Sequence, residues 1–182
     1  MVPHNFKELY SREMIAKAIG RIGGEIDVWA ERVWQESHTD LLVIPVLRGG
    51  IFVFADLVRT LSASVEIAPA RTWAYDPEAG NAQLNSVSVN IEGVPAKGRS
   101  VLVVDDICDS GRSLVSITKS LHDAGAREVK SAVLIHRQVP ESVFTPDWVG
   151  FSYTGKEWFV GYGMDDGDRW RNLPAIYIIQ QG

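Results

Sequence analysis

The 182-residue chain contains a single cysteine, Cys108, so an internal disulfide framework is excluded and a reducing compartment suits it. Its four histidines, His4, His38, His122 and His136, lack ligand-like spacing, which argues against a histidine-based metal hydrolase. Cations are outnumbered: 18 Lys and Arg against 23 Asp and Glu leave a formal charge of −5. That balance argues against nucleic acid as the main partner, and an anionic ligand must therefore be gripped locally rather than by the overall field. No apolar run approaches membrane-spanning length, and the first residues, from Met1 to Glu8, lack the apolar core of a signal peptide. The expectation is a cytoplasmic protein without membrane or nucleic-acid partners. Its length is within the range of one domain, 1–182, with a full core.

What the chain does have is concentrated in Val101–Ser113, Val-Leu-Val-Val-Asp-Asp-Ile-Cys-Asp-Ser-Gly-Arg-Ser. Four apolar residues without alternation read as a strand buried on both faces, as in a parallel sheet. The strand delivers Asp105 and Asp106 to its C-terminal end, where ligands of open α/β sheets bind. Asp109 follows, then Ser110, Gly111, Arg112 and Ser113, then the helical spacing of Leu114, Ile117, Leu121 and Ala124. A small, hydroxyl-rich loop before a helix points several N–H groups at one phosphate, aided by the helix dipole. Carboxylates beside such a site would repel the ligand unless they address sugar hydroxyls or hold a hard cation such as Mg²⁺. A phosphorylated sugar with a metal fits best. The plainer alternative is that Asp105 and Asp106 cap a strand and Ser113 caps a helix.

Taken in order, residues 11–35 show helical spacing through Met14, Ile15, Ala18, Ile22, Ile26 and Trp29, with Ser11 as N-cap. Gly20, Gly23 and Gly24 are expected to bend or split that helix. Leu41–Leu47 reads as the first core strand, although Pro45 cannot donate to a ladder. Arg48-Gly49-Gly50 follows, before an apolar helix from Ile51 to Leu61. This strand–glycine turn–helix unit is a second anion-site candidate, with a guanidinium suited to phosphate oxygens; a merely tight turn is the alternative. Ser64–Arg71 reads as a short strand broken by Pro69. Residues 73–88 read as a long hairpin with a mobile tip, either lid or ornament. Val129–Ile135 is another buried-type strand, with His136-Arg137 at its end, and Trp148–Phe151 a further strand. The glycines at 161, 163 and 167 do not make a dinucleotide fingerprint. By composition, Trp158 and Phe159 read as core aromatics ahead of a base-stacking platform.

The run around Asp105–Gly111 resembles the phosphoribosyl-pyrophosphate (PRPP) loop of the type I phosphoribosyltransferases: an apolar run, two acidic residues, two apolar residues, Asp, Ser or Thr, Gly. Leu47-Arg48-Gly49-Gly50 matches the (Lys or Arg)-Gly-Gly turn of their 6-oxopurine members. Trp158-Phe-Val-Gly-Tyr-Gly-Met-Asp165 with Arg171-Asn-Leu-Pro174 resembles the purine end of the hypoxanthine-guanine enzymes. The resemblance implies an α/β fold with a mostly parallel central sheet, flanking helices, a hairpin lid and a small hood from the N- and C-terminal segments. It implies an Mg²⁺-dependent purine-salvage transferase moving 5-phosphoribosyl from PRPP to a 6-oxopurine. Separately, aromatic surface on the first helices makes a homo-oligomer, dimer or tetramer, the expectation.

Residue by residue, the resemblance puts the 5′-phosphate on Asp109, Ser110, Gly111, Arg112 and Ser113, and the ribose or Mg²⁺ on Asp105 and Asp106. It puts pyrophosphate on Arg48, Gly49 and Arg171, and the purine on Arg137, Trp158, Phe159 and Asp165, with Asp165 also helping to place metal. Asp109 is implied as the proton-transfer group toward purine N7. The lid carries Ala74-Tyr75 where the family has Ser-Tyr. Near the base the family uses a lysine where this chain has His136-Arg137; Arg137 is the expected equivalent, and a one-residue shift would select His136. A phosphoribosyltransferase for another base and an RNA-binding regulator of the same fold are the rival readings. The −5 charge and the retained Asp109 count against the regulator.

Overall fold

The computed structural model describes residues 2–68, 70–75 and 83–180, with 70–75 and 83–89 as backbone. The strands are β1 (Phe6–Tyr10), β2 (Leu41–Leu47), β3 (Val65–Ile67), β4 (Ala70–Tyr75), β5 (Gln83–Asn90), β6 (Ser100–Cys108), β7 (Glu128–Arg137), β8 (Trp148–Tyr153), β9 (Phe159–Val160) and β10 (Ile176–Ile179). The helices are α1 (Arg12–Ser37), α2 (Gly50–Val58) and α3 (Arg112–Asp123).

The main sheet runs β5-β4-β2-β6-β7-β8, with β3 also paired to β2. Every pairing in it is parallel except β4 with β5. Alternate residues of β6 serve two cores. Leu102 and Val104 pack with Ile15, Ile19, Ile22 and Ile26 of α1 and Val53 and Leu57 of α2. Val101 and Val103 pack with Leu114, Ile117 and Leu121 of α3. The unbroken apolar run of β6 therefore has the physical cause expected for it: both faces are covered by helices.

One local expectation is corrected and two are borne out. First, α1 is one continuous helix. Ser11 caps it as expected, its Oγ accepting from Met14 N at 3.3 Å. Gly20 and Gly24 face open space, and Gly23 lets α1 approach Thr60 after α2. Burial of the Ile15–Val33 stripe outweighs the poor propensity of these glycines. Second, Pro45 lies within the interior strand β2. The partner of β2 changes from β3, ending at Val43↔Ile67, to β4, starting at Val46↔Ala70, and Pro45 falls in that gap. Third, β6 delivers its carboxylates at its C-terminal end, as expected, and still within the strand. It runs through Cys108, so Asp105 and Asp106 are strand residues, paired along β7 by Asp105↔Val133 and Cys108↔His136. The expected strand over 64–71 is two strands, and Pro69 between them lies outside the described residues.

A second, antiparallel sheet, β1-β10-β9, joins the N- and C-terminal segments. Neither β1 nor β10 shows clear alternation, and pairing across 170 residues of sequence made them strands. Tyr10 of β1 stacks on Phe151 of β8 with ring centroids 3.9 Å apart, and Phe159 and Ile176 enter the α1–α2 core. β4 and β5 form the antiparallel hairpin expected over 73–88. Residues 76–82, where a mobile lid tip was expected, and the side chains of Ala74 and Tyr75 lie outside the described residues. Among the described residues no helix is long and apolar enough to cross a membrane.

The α1 glycines give a contrast within one helix. Gly24→Ala should stabilise the protein by about 0.5–1 kcal/mol, since an alanine there meets nothing and loses less entropy on folding. Gly23→Ala should instead destabilise it by about 1–3 kcal/mol, because its Cβ would run into the Thr60 side chain. Urea unfolding of the two variants measures both shifts.

Candidate active site

The C-terminal ends of β2, β6 and β7 open on one cavity of about 370 Å³. Its wall includes Arg48, Gly49, Asp105, Asp106, Asp109 through Ser113, Arg137, Trp158, Phe159, Asp165 and Arg171. Apart from the lid pair, every residue to which the resemblance assigns a substrate or metal contact lines this space. His136 does not, so alternation along β7 selects Arg137.

Asp105 and Asp106 are both buried, and the Asp106 main-chain N–H donates to Asp105 Oδ1 at 2.9 Å. Burial and then the neighbouring Asp106 charge push the Asp105 carboxyl well above its usual range. Burial likewise raises Asp106, partly offset by the hydrogen bond from Ile107 N and the charge of Arg171. The pair lies against the Arg48-Gly49-Gly50 turn, which begins with a cis peptide between Leu47 and Arg48. A Cβ on Gly49 would collide with the Asp106 carboxylate, and one on Gly50 would press on the main chain at Val104–Asp105.

From Asp109 the chain leaves β6 and turns through Gly111, at φ 78°, into α3. Nothing from a side chain caps this helix, so the first-turn N–H groups around Arg112–Leu114 are free to receive an anion. The loop is propped from behind. Val143 N donates to Ser110 O at 2.9 Å, and a side chain at 111 would strike Phe144. Phe144 and Val143 carry no sequence signal for this role. Their placement depends on the β7–β8 connection folding over the loop.

Arg137 is buried at the floor. Its terminal nitrogens donate to the carbonyls of Gly155 and Glu157, the latter at 3.0 Å. Its Nε lies 3.3 Å from Asp109 Oδ1, and its guanidinium sits 4.6 Å from the Phe159 ring centre. It thus ties the segment before β9 to the loop carboxylate. Phe159 is buried, as composition suggested; Trp158 is 62% exposed and walls the cavity.

Across the opening, residues 161–173 fold back on the Gly49 turn. A Cβ at Gly163, where φ is 102°, would meet the Gly49 carbonyl. The Tyr162 hydroxyl donates to Asp56 of α2, and burial followed by that carboxylate strongly raises its pKa. Arg171 donates to Gly163 O at 2.6 Å and pairs with Asp165 at 2.6 Å. Asp168 bridges Arg48 at 2.5 Å and Arg171 at 3.4 Å. This bridging carboxylate was not singled out from the sequence, because nothing in the spacing of 165–168 says which acid reaches which arginine.

The donor chemistry here suits Mg²⁺ at Asp105 and Asp106. Two buried carboxylates raised by desolvation gain from a hard cation, and Mg²⁺ commonly uses one or two carboxylates plus substrate phosphate oxygens. Asp165 is engaged by Arg171 and by Asp168 N at 2.8 Å. Among the described residues no group of three such ligands converges.

A helix N-terminus without a side-chain cap, beside paired acids at the mouth of a parallel sheet, is the arrangement that a phosphorylated sugar would need. The chain belongs to the phosphoribosyltransferase family: the family described as phosphoribosyl transferase domain matches residues 12–166. Its relatives include the hypoxanthine phosphoribosyltransferase of Haemophilus influenzae, 30% identical over 178 residues that cover 97% of this chain and 96% of that one. The hypoxanthine-guanine phosphoribosyltransferase of Bacillus subtilis is 29% identical over 185 residues, 99% of this chain and 97% of its own. Among solved structures, a hypoxanthine-guanine phosphoribosyltransferase of Bacillus anthracis superposes with a TM-score of 0.77 at 26% identity, over 95% of this chain and 97% of that one. The hypoxanthine phosphoribosyltransferase of Trypanosoma cruzi, in complex with the product IMP, shares the fold with a TM-score of 0.82 at 22% identity, over 99% and 97% of the two chains.

Two outcomes follow from this geometry. Cys108 is buried beside the acids, and burial with the charges of Asp105 and Asp109 pushes its thiol up to about 12. Iodoacetamide at pH 8 should leave the folded protein unmodified and alkylate it only in denaturant, as intact mass will show. Gly49→Ala should displace the Asp106 carboxylate and lower PRPP affinity about tenfold or more while the protein still folds. Calorimetric titration and a melting curve separate the two effects.

Proposed function

We propose that the protein is a purine-salvage enzyme that transfers 5-phosphoribosyl from PRPP to a 6-oxopurine, releasing the nucleoside 5′-monophosphate and pyrophosphate. The observation that carries the reading is the convergence, in one cavity, of the α3 N-terminus, the buried Asp105–Asp106 pair and the exposed face of Trp158. The names of the relatives support the purine assignment.

In this reading the N–H groups of 110–113, with the Ser110 and Ser113 hydroxyls, hold the 5′-phosphate. Asp105 and Asp106 lie under the ribose, addressing its hydroxyls or the metal. Mg²⁺ bound there would supply charge neutralisation for the substrate's phosphate oxygens. Arg48, the Gly49 main chain and Arg171 receive the pyrophosphate, displacing Asp168, whose carboxylate already sits between the two guanidinium groups. Trp158 stacks on the base.

The transfer forms a bond from purine nitrogen to the anomeric carbon as the bond from that carbon to pyrophosphate oxygen breaks. Positive charge develops on the ribose ring in between, and the carboxylates of the cavity stabilise it. The purine sheds a proton from N7, and Asp109 accepts it; Arg137, 3.3 Å away, orients that carboxylate. The packing of Gly163 against the Gly49 turn walls one side of the cavity and would limit the access of water to the reacting carbon. A cytoplasmic homo-oligomer fits the lone unpaired cysteine and the exposed Val28 and Trp34 of α1.

Incubation with PRPP, Mg²⁺ and hypoxanthine, guanine, xanthine, adenine or uracil tests the proposal. Nucleotide should form with at least one 6-oxopurine; product from uracil alone, or none despite PRPP binding, would refute it. Asp109→Ala should lower kcat by about 100-fold or more with little change in PRPP affinity, whereas Asp106→Ala should weaken PRPP binding. Unchanged kcat in the first variant would remove Asp109 from the proton transfer.

A further inference from the structure

Residues 166–169 make a tight two-residue turn. Asp166 N donates to Arg169 O at 3.2 Å, and Arg169 N donates to Asp166 O at 3.1 Å. The central residues, Gly167 and Asp168, have φ of 57° and 63°, the positive pair that a type I′ turn requires. The Asp168 N–H donates to Asp165 Oδ2 at 2.8 Å, so the main chain at 168 is held from both sides. Its side chain is freer. The carboxylate is 63% exposed and meets the arginines through one oxygen, Oδ1, which lies 2.5 Å from Arg48 Nη2 and 3.4 Å from Arg171 Nη2.

That oxygen sits where an anionic ligand of the two guanidinium groups would sit. Among the described residues, Asp168 is the one carboxylate paired with Arg48, and Arg171 is paired with Asp165 as well, at 2.6 Å. Two arginines thus face two carboxylates, and the cluster offers an anion no net positive charge. A carboxylate has to give way. Asp165 is the poorer candidate, because it is 28% exposed and accepts from both Arg171 and Asp168 N. Asp168 can give way by turning its side chain into solvent, with every bond of the turn intact.

We propose that Asp168 is a resident counter-ion of the pyrophosphate place: it neutralises Arg48 and Arg171 before pyrophosphate arrives and competes with bound pyrophosphate for them, so that it weakens pyrophosphate binding and speeds its release. The inference deepens the transfer reading and rests on it. Binding the anion gives up the existing ion pairs. The displaced carboxylate, still tethered beside the site, then repels the polyanion that replaced it. Both effects are modest because exposed charges are screened, but they act in the same direction. A residue that held the ligand, or merely kept the turn in shape, would act in the opposite direction. The sign of the effect therefore separates the roles.

The test is calorimetric titration of pyrophosphate, with Mg²⁺ present, into the natural protein, Asp168→Asn, Asp168→Gly and Asp166→Asn. Asparagine and glycine both tolerate a positive φ, so the turn is retained. Asp166→Asn makes the same change of charge two residues away, on a side chain that pairs with no arginine among the described residues. Both Asp168 variants should bind pyrophosphate about fivefold more tightly, and in turnover pyrophosphate should inhibit them at about fivefold lower concentration. Asp166→Asn should shift either quantity by less than about twofold. Affinity for a nucleoside 5′-monophosphate, which carries no pyrophosphate, should stay within about twofold in every variant. Equal or weaker pyrophosphate binding by the Asp168 variants overturns the inference, as does an equal gain in Asp166→Asn, which would reduce the effect to overall charge. Failure to form nucleotide from PRPP would refute the transfer reading instead, and the pyrophosphate affinities, read without turnover, would still decide the role of Asp168.

Discussion

The structure depends on placing two adjacent carboxylates, Asp105 and Asp106, where water is largely excluded. Burial raises both, so ionising them is costly, and a cation or sugar hydroxyls bound there would offset that cost. Much of the surrounding architecture accommodates this pair. β6 reaches it from a core covered on both faces, and Gly49 and Gly50 lack side chains because the acids and their backbone occupy that volume. Burial of two α-helical layers against β6 supplies the stability that such an arrangement opposes.

The second constraint is charge balance around the opening. Asp109, Asp165 and Asp168 are met by Arg137, Arg48 and Arg171. The pairs of Asp168 with Arg48 and Arg171 are partly exposed, worth little to stability, and open to exchange for a stronger anionic partner. A phosphate-rich substrate is such a partner. The protein as a whole is acidic, so the site's attraction for anions is local, in the three guanidinium groups and the α3 N-terminus.

The two sheets divide the labour. The parallel sheet presents the phosphate loop and the acids, while the small antiparallel sheet carries Trp158 and Phe159 to the other wall. Their relative placement is set by the shared core, which Phe159 and Ile176 enter, and by Tyr10 on Phe151, Arg137 on the carbonyls of Gly155 and Glu157, and Tyr162 on Asp56. Arg137 also reaches the loop after β6, through Asp109.

The chemistry-bearing stretches were legible in the chain because each is local: an apolar run, a pair of acids, a glycine turn and a helix start are contiguous in sequence and need only neighbouring residues to form. The parallel character of the sheet followed from the same runs, since a strand with no polar alternation must be covered twice. What the sequence by itself determined is therefore the inventory of the site and the elements that carry it. The continuity of α1 through Gly20, Gly23 and Gly24, the passage of Pro45 through the interior of the sheet, and the strands β1 and β10 were decided by tertiary packing, which overrode weak local preferences. So were the choice of Arg137 over His136 and the bridge of Asp168. Each depends on which side chain meets which partner across a cavity, and residues distant in sequence become neighbours only when both sheets have formed.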